Sequence, residues 1–84
     1  MIPRIMAITI KKRNEEALEV QKILTEYGCS IQTRLGLHET YEGCSNMGVI
    51  LLQLRCDGNT CEELASKLSA IEGVAVNHME LKIS

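Results

Sequence analysis

Aromatic residues are scarce in this 84-residue sequence, which has no Trp, no Phe and only two Tyr, at positions 27 and 41. Without aromatic side chains the chain has no platform on which nucleic acid bases could stack. The net charge of −2 is also the wrong sign for a surface that neutralises phosphate groups. These two features argue against nucleic acid as a partner.

Long apolar runs are absent as well, and this predicts that no helix spans a membrane. The apolar stretch near the N-terminus precedes its basic residues, which is the reverse of the order in a secretory signal peptide. We therefore expect a cytoplasmic protein whose thiols are reduced. The four cysteines are Cys29, Cys44, Cys56 and Cys61.

The length and composition predict one globular domain that covers residues 1–84. A domain of this size buries only about 60–65% of the surface that its unfolded chain exposes. A partner subunit would therefore add substantially to its stability.

Hydrophobic periodicity predicts the order βαββαβ. The first helix is expected to begin at a cap on Asn14 and to end at a left-handed Gly28. The second is expected to begin at a capping box formed by Thr60 and Glu63, and to end at Gly73. The predicted strands cover residues 5–11, 29–38, 47–56 and 74–83.

The two halves of the sequence resemble each other at an offset of 45 positions, as between Asn14 and Asn59 or between Val20 and Ala65. Two βαβ units with right-handed crossovers give a four-stranded antiparallel sheet with both helices on one face. The predicted fold class is therefore α+β, a ferredoxin-like sandwich.

The third strand is apolar at nearly every position, so both of its faces carry apolar side chains. If the helices cover Ile50, Leu52 and Leu54, then Val49 and Leu51 lie on the face that has no helix. Exposed apolar patches usually mark an interface. We therefore expect a homo-oligomer, a dimer or a tetramer, whose interface contains Val49 and Leu51.

The stretch "LGLHETYEGC", residues 35–44, combines imidazole, carboxylate and thiol groups, which are the groups that bind transition metals. His38 and Cys44 are the candidate metal ligands, and Glu39, Glu42 or residues of a second copy would have to complete the site. The alternative is a solvated hairpin loop without metal.

Across nearly the whole chain the sequence resembles the small ACT-like family of iron-only hydrogenase system regulators. The matching segments are "RIMAITIKKRNEEALEVQKILTEYG", "RLGL" and the "TCEELASKLSAIEGVAV" helix and strand. This resemblance implies an ACT-like fold and a regulatory role, and it names no ligand.

A weaker resemblance is to the C-terminal domain of the nickel-responsive repressor. In that family the hairpin between strands two and three carries His-x-His and, further on, Cys. His38 and Cys44 match the second histidine and the cysteine, whereas Gly36 stands in place of the first histidine. The resemblance implies a transition metal as a candidate cofactor.

The remaining polar motifs favour binding over catalysis. Lys11, Lys12 and Arg13 precede a helix and could hold an anion, although Glu15 and Glu16 are nearby partners for them. Cys61 is expected to be a small buried side chain of the second helix, and Cys29 and Cys56 are expected to face inward. His38 with Cys44 is the one pair that could act as base and nucleophile, so we do not expect an enzyme.

Three functions remain open at this point. The first is an oligomeric ACT-like regulatory module that binds a small ligand or a protein partner at a subunit interface. The second is a metal-binding module, and the third is an oligomerisation domain without a ligand.

Overall fold

A computed structural model describes residues 2–38 and 47–83 and confirms the βαββαβ order. The bounds are β1 Arg4–Ile10, α1 Arg13–Glu26, β2 Ile31–His38, β3 Gly48–Leu54, α2 Gly58–Ser69 and β4 Val74–Glu80. A short 3-10 turn, Gly28–Ser30, joins α1 to β2. In the described part of the chain no helix is long and apolar enough to cross a bilayer.

The four strands form one antiparallel sheet in the order β2-β3-β1-β4. The central strands β1 and β3 pair in register along their whole length, from Arg4 opposite Leu54 to Ile10 opposite Gly48. Strands β2 and β4 form the two edges. This is the predicted ferredoxin-like sandwich, and the pairing of the central strands holds its two halves together.

Both helices pack on the same face of the sheet, which we call the covered face. Met6, Ile8 and Ile10 of β1 point towards the helices and are fully or almost fully buried. The buried residues of the other elements are Val20, Leu24, Ile50, Leu52, Leu54, Cys56, Cys61, Leu64, Ala65 and Leu68. No polar side chain of the described residues is buried among them. The core is therefore apolar and is held by hydrophobic burial.

Helix α1 begins earlier than predicted. It starts at Arg13 with Lys12 as the N-cap residue, so the predicted cap on Asn14 is wrong, because Asn14 already lies within the helix. The Lys12 side chain makes no capping hydrogen bond. Instead, the backbone N–H of Lys12 donates to Oε1 of Glu16 at 2.9 Å. A carboxylate from inside the helix thus stabilises its positive end.

Helix α2 also begins earlier than predicted, so the capping box at Thr60 and Glu63 is wrong. Asp57 has an extended backbone and its Oδ1 accepts the N–H of Thr60 at 2.7 Å. An aspartate that accepts the N–H three residues further on is a favoured N-cap. Asp57 therefore starts the helix three residues before the predicted position.

The two glycines that were expected to end the helices differ in conformation. Gly73 has a φ of +84°, in the left-handed region, and lies in the turn before β4. Gly28 does not have a positive φ and opens the 3-10 turn, so the prediction of a left-handed Gly28 is wrong. The C-cap residue of α1 is Tyr27.

A change of register interrupts the alternation of β2. Ile31 pairs with Leu54, whereas Thr33 pairs with Gln53, so Gln32 is an extra residue in this strand. Ile31 consequently packs against the core on the covered face, and Leu35 lies on the opposite face together with Leu51. A bulge of this kind moves side chains from one face of a strand to the other.

Candidate functional site

The face of the sheet opposite the helices, which we call the open face, is the main candidate interaction surface. Directly paired residues of antiparallel strands place their side chains on the same face. The register therefore places Val49 and Leu51 of β3 on the open face, next to Thr9 and Ala7 of β1. The described residues of the open face are Ile5, Ala7, Thr9, Thr33, Leu35, Val49, Leu51, Gln53, Ala75, Asn77 and Met79.

Every one of these open-face side chains is uncharged, although 24% of the whole chain is charged. Leu35 is 52% exposed and Met79 is 59% exposed, and these two residues lie on opposite edge strands. Val49 and Leu51 between them are half-buried. A sheet surface that is apolar at its centre, and whose strand-paired residues carry no charge, fits contact with protein better than contact with water.

Three polar side chains, those of Gln32, Thr33 and Gln53, lie together at one end of β2 and β3. The Thr33 hydroxyl donates to Oε1 of Gln53 at 3.3 Å, and Nε2 of Gln53 donates to Oε1 of Gln32 at 3.4 Å. These side chains partly satisfy one another across the two strands. They therefore form a neutral polar border beside the apolar centre of the open face.

The two predicted metal ligands lie at or beyond the limit of the described residues. His38 is the last residue of β2 and its backbone pairs with Gly48, but its side chain and Cys44 lie outside the described residues. The same holds for Glu39 and Glu42. Among residues 2–38 and 47–83, no group of three or more His, Cys, Asp and Glu side chains could hold a metal ion.

A further histidine, His78, lies on β4, at the sheet edge opposite to β2. It is half-buried, and its Nε2 lies 3.9 Å from Oε1 of Glu62 on α2. Its pairing with Met6 places it on the covered face. His78 is therefore separated from His38 by the width of the sheet.

The basic residues before α1 line a cleft of about 380 Å³ together with several carboxylates. Lys11 and Lys12 share this cleft with Glu15, Glu16 and Glu19. Glu16 already occupies the helix N-terminus through its bond to the Lys12 N–H. This arrangement matches solvated charges with acidic partners rather than a site for an anion.

The ends of the two helices are joined through one lysine. Nζ of Lys67 lies 5.1 Å from the centre of the Tyr27 ring and 3.3 Å from Oε1 of Glu26. Hydrogen bonding to Tyr27, and then to Glu26, raises the pKa of Lys67 above its ordinary value of 10.5. The ammonium group thus stays charged and links α2 to the C-terminal end of α1.

The cysteines differ from the prediction of reduced thiols. Cys56 and Cys61 form a disulfide that links the end of β3 to the first turn of α2, with their Cα atoms 5.9 Å apart. Both are buried, as predicted. Cys29 is exposed in the 3-10 turn, so its predicted inward position is wrong.

This disulfide was not predicted from the sequence. The available signal was the spacing, because a strand end and the first turn of the next helix are brought close whenever a short loop joins them. Cys56 and Cys61 are five positions apart across such a loop. Disulfides are rare in cytoplasmic proteins, so the expectation of a cytoplasmic protein argued against this bond.

Comparison with known proteins places this geometry in a family. The TM1266-like family, described as "Iron-only hydrogenase system regulator, putative", matches residues 4–78. No curated protein matches the chain. The structure of the uncharacterized protein TM1266 from Thermotoga maritima is 30% identical, with a TM-score of 0.87, over 96% of this chain and 98% of that one.

Two more distant structures share the fold. The ACT domain from GTP pyrophosphokinase of Chlorobium tepidum is 14% identical, with a TM-score of 0.70, over 92% of this chain and 84% of that one. CutA1 from Pyrococcus horikoshii is 16% identical, with a TM-score of 0.50, over 96% of this chain and 85% of that one. The match over residues 4–78, with an ACT-like fold, shows that this chain belongs to the TM1266-like family of iron-only hydrogenase system regulators.

Proposed function

We propose that this chain is an oligomeric regulatory module in which a second copy packs against the open face. The observation that carries the proposal is the uncharged, apolar centre of that face, with Leu35 half exposed beside Leu51. A face without charge at its centre does not repel its own copy there, so it suits a symmetric interface. Val49 and Leu51 are the proposed centre of this interface.

The proposal also covers the binding of a small ligand or protein partner at the subunit interface. A regulator acts by changing its affinity for one partner when it binds another, and a shared interface lets both subunits respond together. On this view the chain is a single ACT-like domain over residues 1–84, acts in the cytoplasm, and has no catalytic role. Nucleic acid is not a proposed partner, because the chain is acidic overall and poor in aromatic residues, and a membrane is not one, because the sequence has no long apolar run.

Metal binding through His38 and Cys44 is the second candidate function and stays a prediction. Two ligands are fewer than a stable transition-metal site needs. The others would have to come from residues 39–46 or from a second copy of the chain. An oligomerisation domain without any ligand is the third reading.

Sedimentation velocity and thermal-shift screening test the leading proposal together. We expect a dimer or tetramer at micromolar concentration, and a ligand at about 100 times its dissociation constant should add about 2.7 kcal/mol of stability. A well-folded monomer at high concentration would contradict the proposed interface. An oligomer that responds to no amino acid, nucleotide or partner protein would favour the third reading.

Metal analysis separates the second reading from the first. The chain should be purified without a histidine tag and its metal content compared with that of His38→Ala. A site of three or four ligands would retain more than about a tenth of an equivalent of metal per chain. A lower metal content in both proteins would therefore eliminate the metal-binding module.

A further inference from the structure

The disulfide between Cys56 and Cys61 occupies the point where α2 is attached to the sheet. Cys56 follows β3 and is 4% exposed, whereas Cys61 lies in the first turn of α2 and is fully buried. The bond is therefore a covalent connection between the central sheet and the start of the helix.

We propose that Cys56 and Cys61 are a reversible redox pair, and that reduction of their disulfide loosens the first turn of α2 while the sheet stays folded. This inference concerns a modification site and does not depend on the proposed interface or its ligand.

Both redox states fit the surroundings of the pair. The two residues belong to the apolar core cluster, in which reduced cysteines behave as small hydrophobic side chains. No buried polar group among the described residues depends on the disulfide. Reduction therefore leaves no unsatisfied charge or large cavity behind.

Local bonds keep the thiols close to each other after reduction. The backbone N–H of Cys61 donates to the carbonyl oxygen of Asp57 at 3.0 Å, and the N–H of Thr60 donates to Oδ1 of Asp57 at 2.7 Å. On the strand side, the N–H of Arg55 donates to the carbonyl of Ser30 at 2.8 Å. Because these bonds re-form locally while the sheet stays folded, the pair can close again without a search through the unfolded chain.

The same bonds are few, which makes the first turn the part of α2 that opens most easily. Asp57, Gly58 and Asn59 are all exposed, so the loop between the two cysteines is largely open to solvent. Local opening of such a segment needs much less free energy than global unfolding. A thiol can thus reach the disulfide by displacing this loop alone.

The chemistry is thiol–disulfide exchange with a thiol or dithiol as the reductant. A thiolate attacks Sγ of Cys56, the less buried of the two residues, and forms a mixed disulfide while the S–S bond breaks and Cys61 leaves as a thiolate. A second thiolate then attacks the reductant's sulfur, so Cys56 also leaves as a thiolate. Two electrons pass to the protein, both thiolates take up protons, and the reductant becomes a disulfide.

The experiment uses the full chain with Cys29→Ser and Cys44→Ser, so that Cys56 and Cys61 are its only cysteines. The protein is equilibrated in mixtures of reduced and oxidised glutathione without denaturant, then alkylated and weighed by mass spectrometry. We expect a transition between an unlabelled and a doubly labelled species within the range of these mixtures. Resistance of the disulfide to a large excess of reduced glutathione until the chain unfolds would overturn the proposal.

Hydrogen–deuterium exchange tests the structural consequence. In the reduced protein the amides of Thr60 and Cys61 should exchange about tenfold faster or more, with the amides of β1 and β3 unchanged. Equal exchange in both states, or loss of protection throughout the sheet on reduction, would overturn the proposal. Cys56→Ser with Cys61→Ser should reproduce the exchange pattern of the reduced form. If that variant does not fold, the exchange rates are compared between the oxidised and reduced forms of the protein with Cys29→Ser and Cys44→Ser.

Discussion

Leu35 of β2 and Leu51 of β3 lie directly opposite each other on the face of the sheet that no helix covers. Leu35 is 52% exposed there, on an edge strand, whereas Leu51 is half-buried on a central strand. Together they place apolar area in contact with solvent at a position where a second copy of the chain would cover it. The pair is therefore the most informative place to test the proposed interface.

A charge at the centre of the open face should separate the subunits. We expect Leu51→Lys to weaken self-association at least about tenfold, because the ammonium group would be desolvated without a partner. Sedimentation velocity over a concentration series measures this change. The matched control is Leu18→Lys on α1, where Leu18 is 85% exposed and lies away from the open face. Equal self-association of both variants would contradict the interface.

Removing side-chain volume from the core between the helices and the sheet should lower the free energy of unfolding. Leu64 of α2 is fully buried, so we expect Leu64→Ala to lower the free energy of unfolding by about 2–5 kcal/mol. Leu18→Ala is the control, because an exposed leucine should change stability by no more than about 0.5 kcal/mol. Urea unfolding followed by circular dichroism measures both. A small effect at Leu64 would mean that the helix does not pack as described.

The turn before β4 should reject a side chain at Gly73. Its φ of +84° is unfavourable for alanine, and a Cβ there would collide with the carboxylate of Glu16. We expect Gly73→Ala to destabilise the chain by about 1–2 kcal/mol from the backbone conformation alone. Gly28→Ala is the control, since Gly28 has no atom within 4 Å of an added Cβ. Thermal unfolding of the two variants should differ by several degrees.

The cap of α2 should make stability depend on pH. The backbone hydrogen bond from Thr60 is the largest cause that holds the pKa of Asp57 below its ordinary value of 3.8. A carboxyl group with a lowered folded pKa stabilises the fold above the unfolded value, and this contribution is lost as pH falls through the folded value. We therefore expect Asp57→Ala to lower the urea midpoint at pH 7, and the difference from wild type to shrink below pH 3.8. A difference that is constant with pH would contradict this role.

Periodicity and spacing were sufficient for the order of the elements and for most of the core. Val20 and Leu24 recur at helical spacing on α1, as do Cys61, Leu64 and Leu68 on α2, and the structure has all five buried. Local capping was harder to predict, because several residues near each helix start have suitable side chains. Asp57 rather than Thr60 caps α2, since the backbone at Asp57 is extended there.

The sequence by itself determined the two βαβ halves and the central place of β3, because the helical period of 3.6 and the nearly continuous apolar run of β3 are visible in the order of apolar residues. Only the tertiary structure decided that Gln32 is a bulge, that Ile31 therefore turns to the core, and that Cys56 reaches Cys61. These features depend on how neighbouring strands and helices meet in space. The order of residues along the chain shows which of them are apolar, but it does not show which of them are in contact in the folded protein.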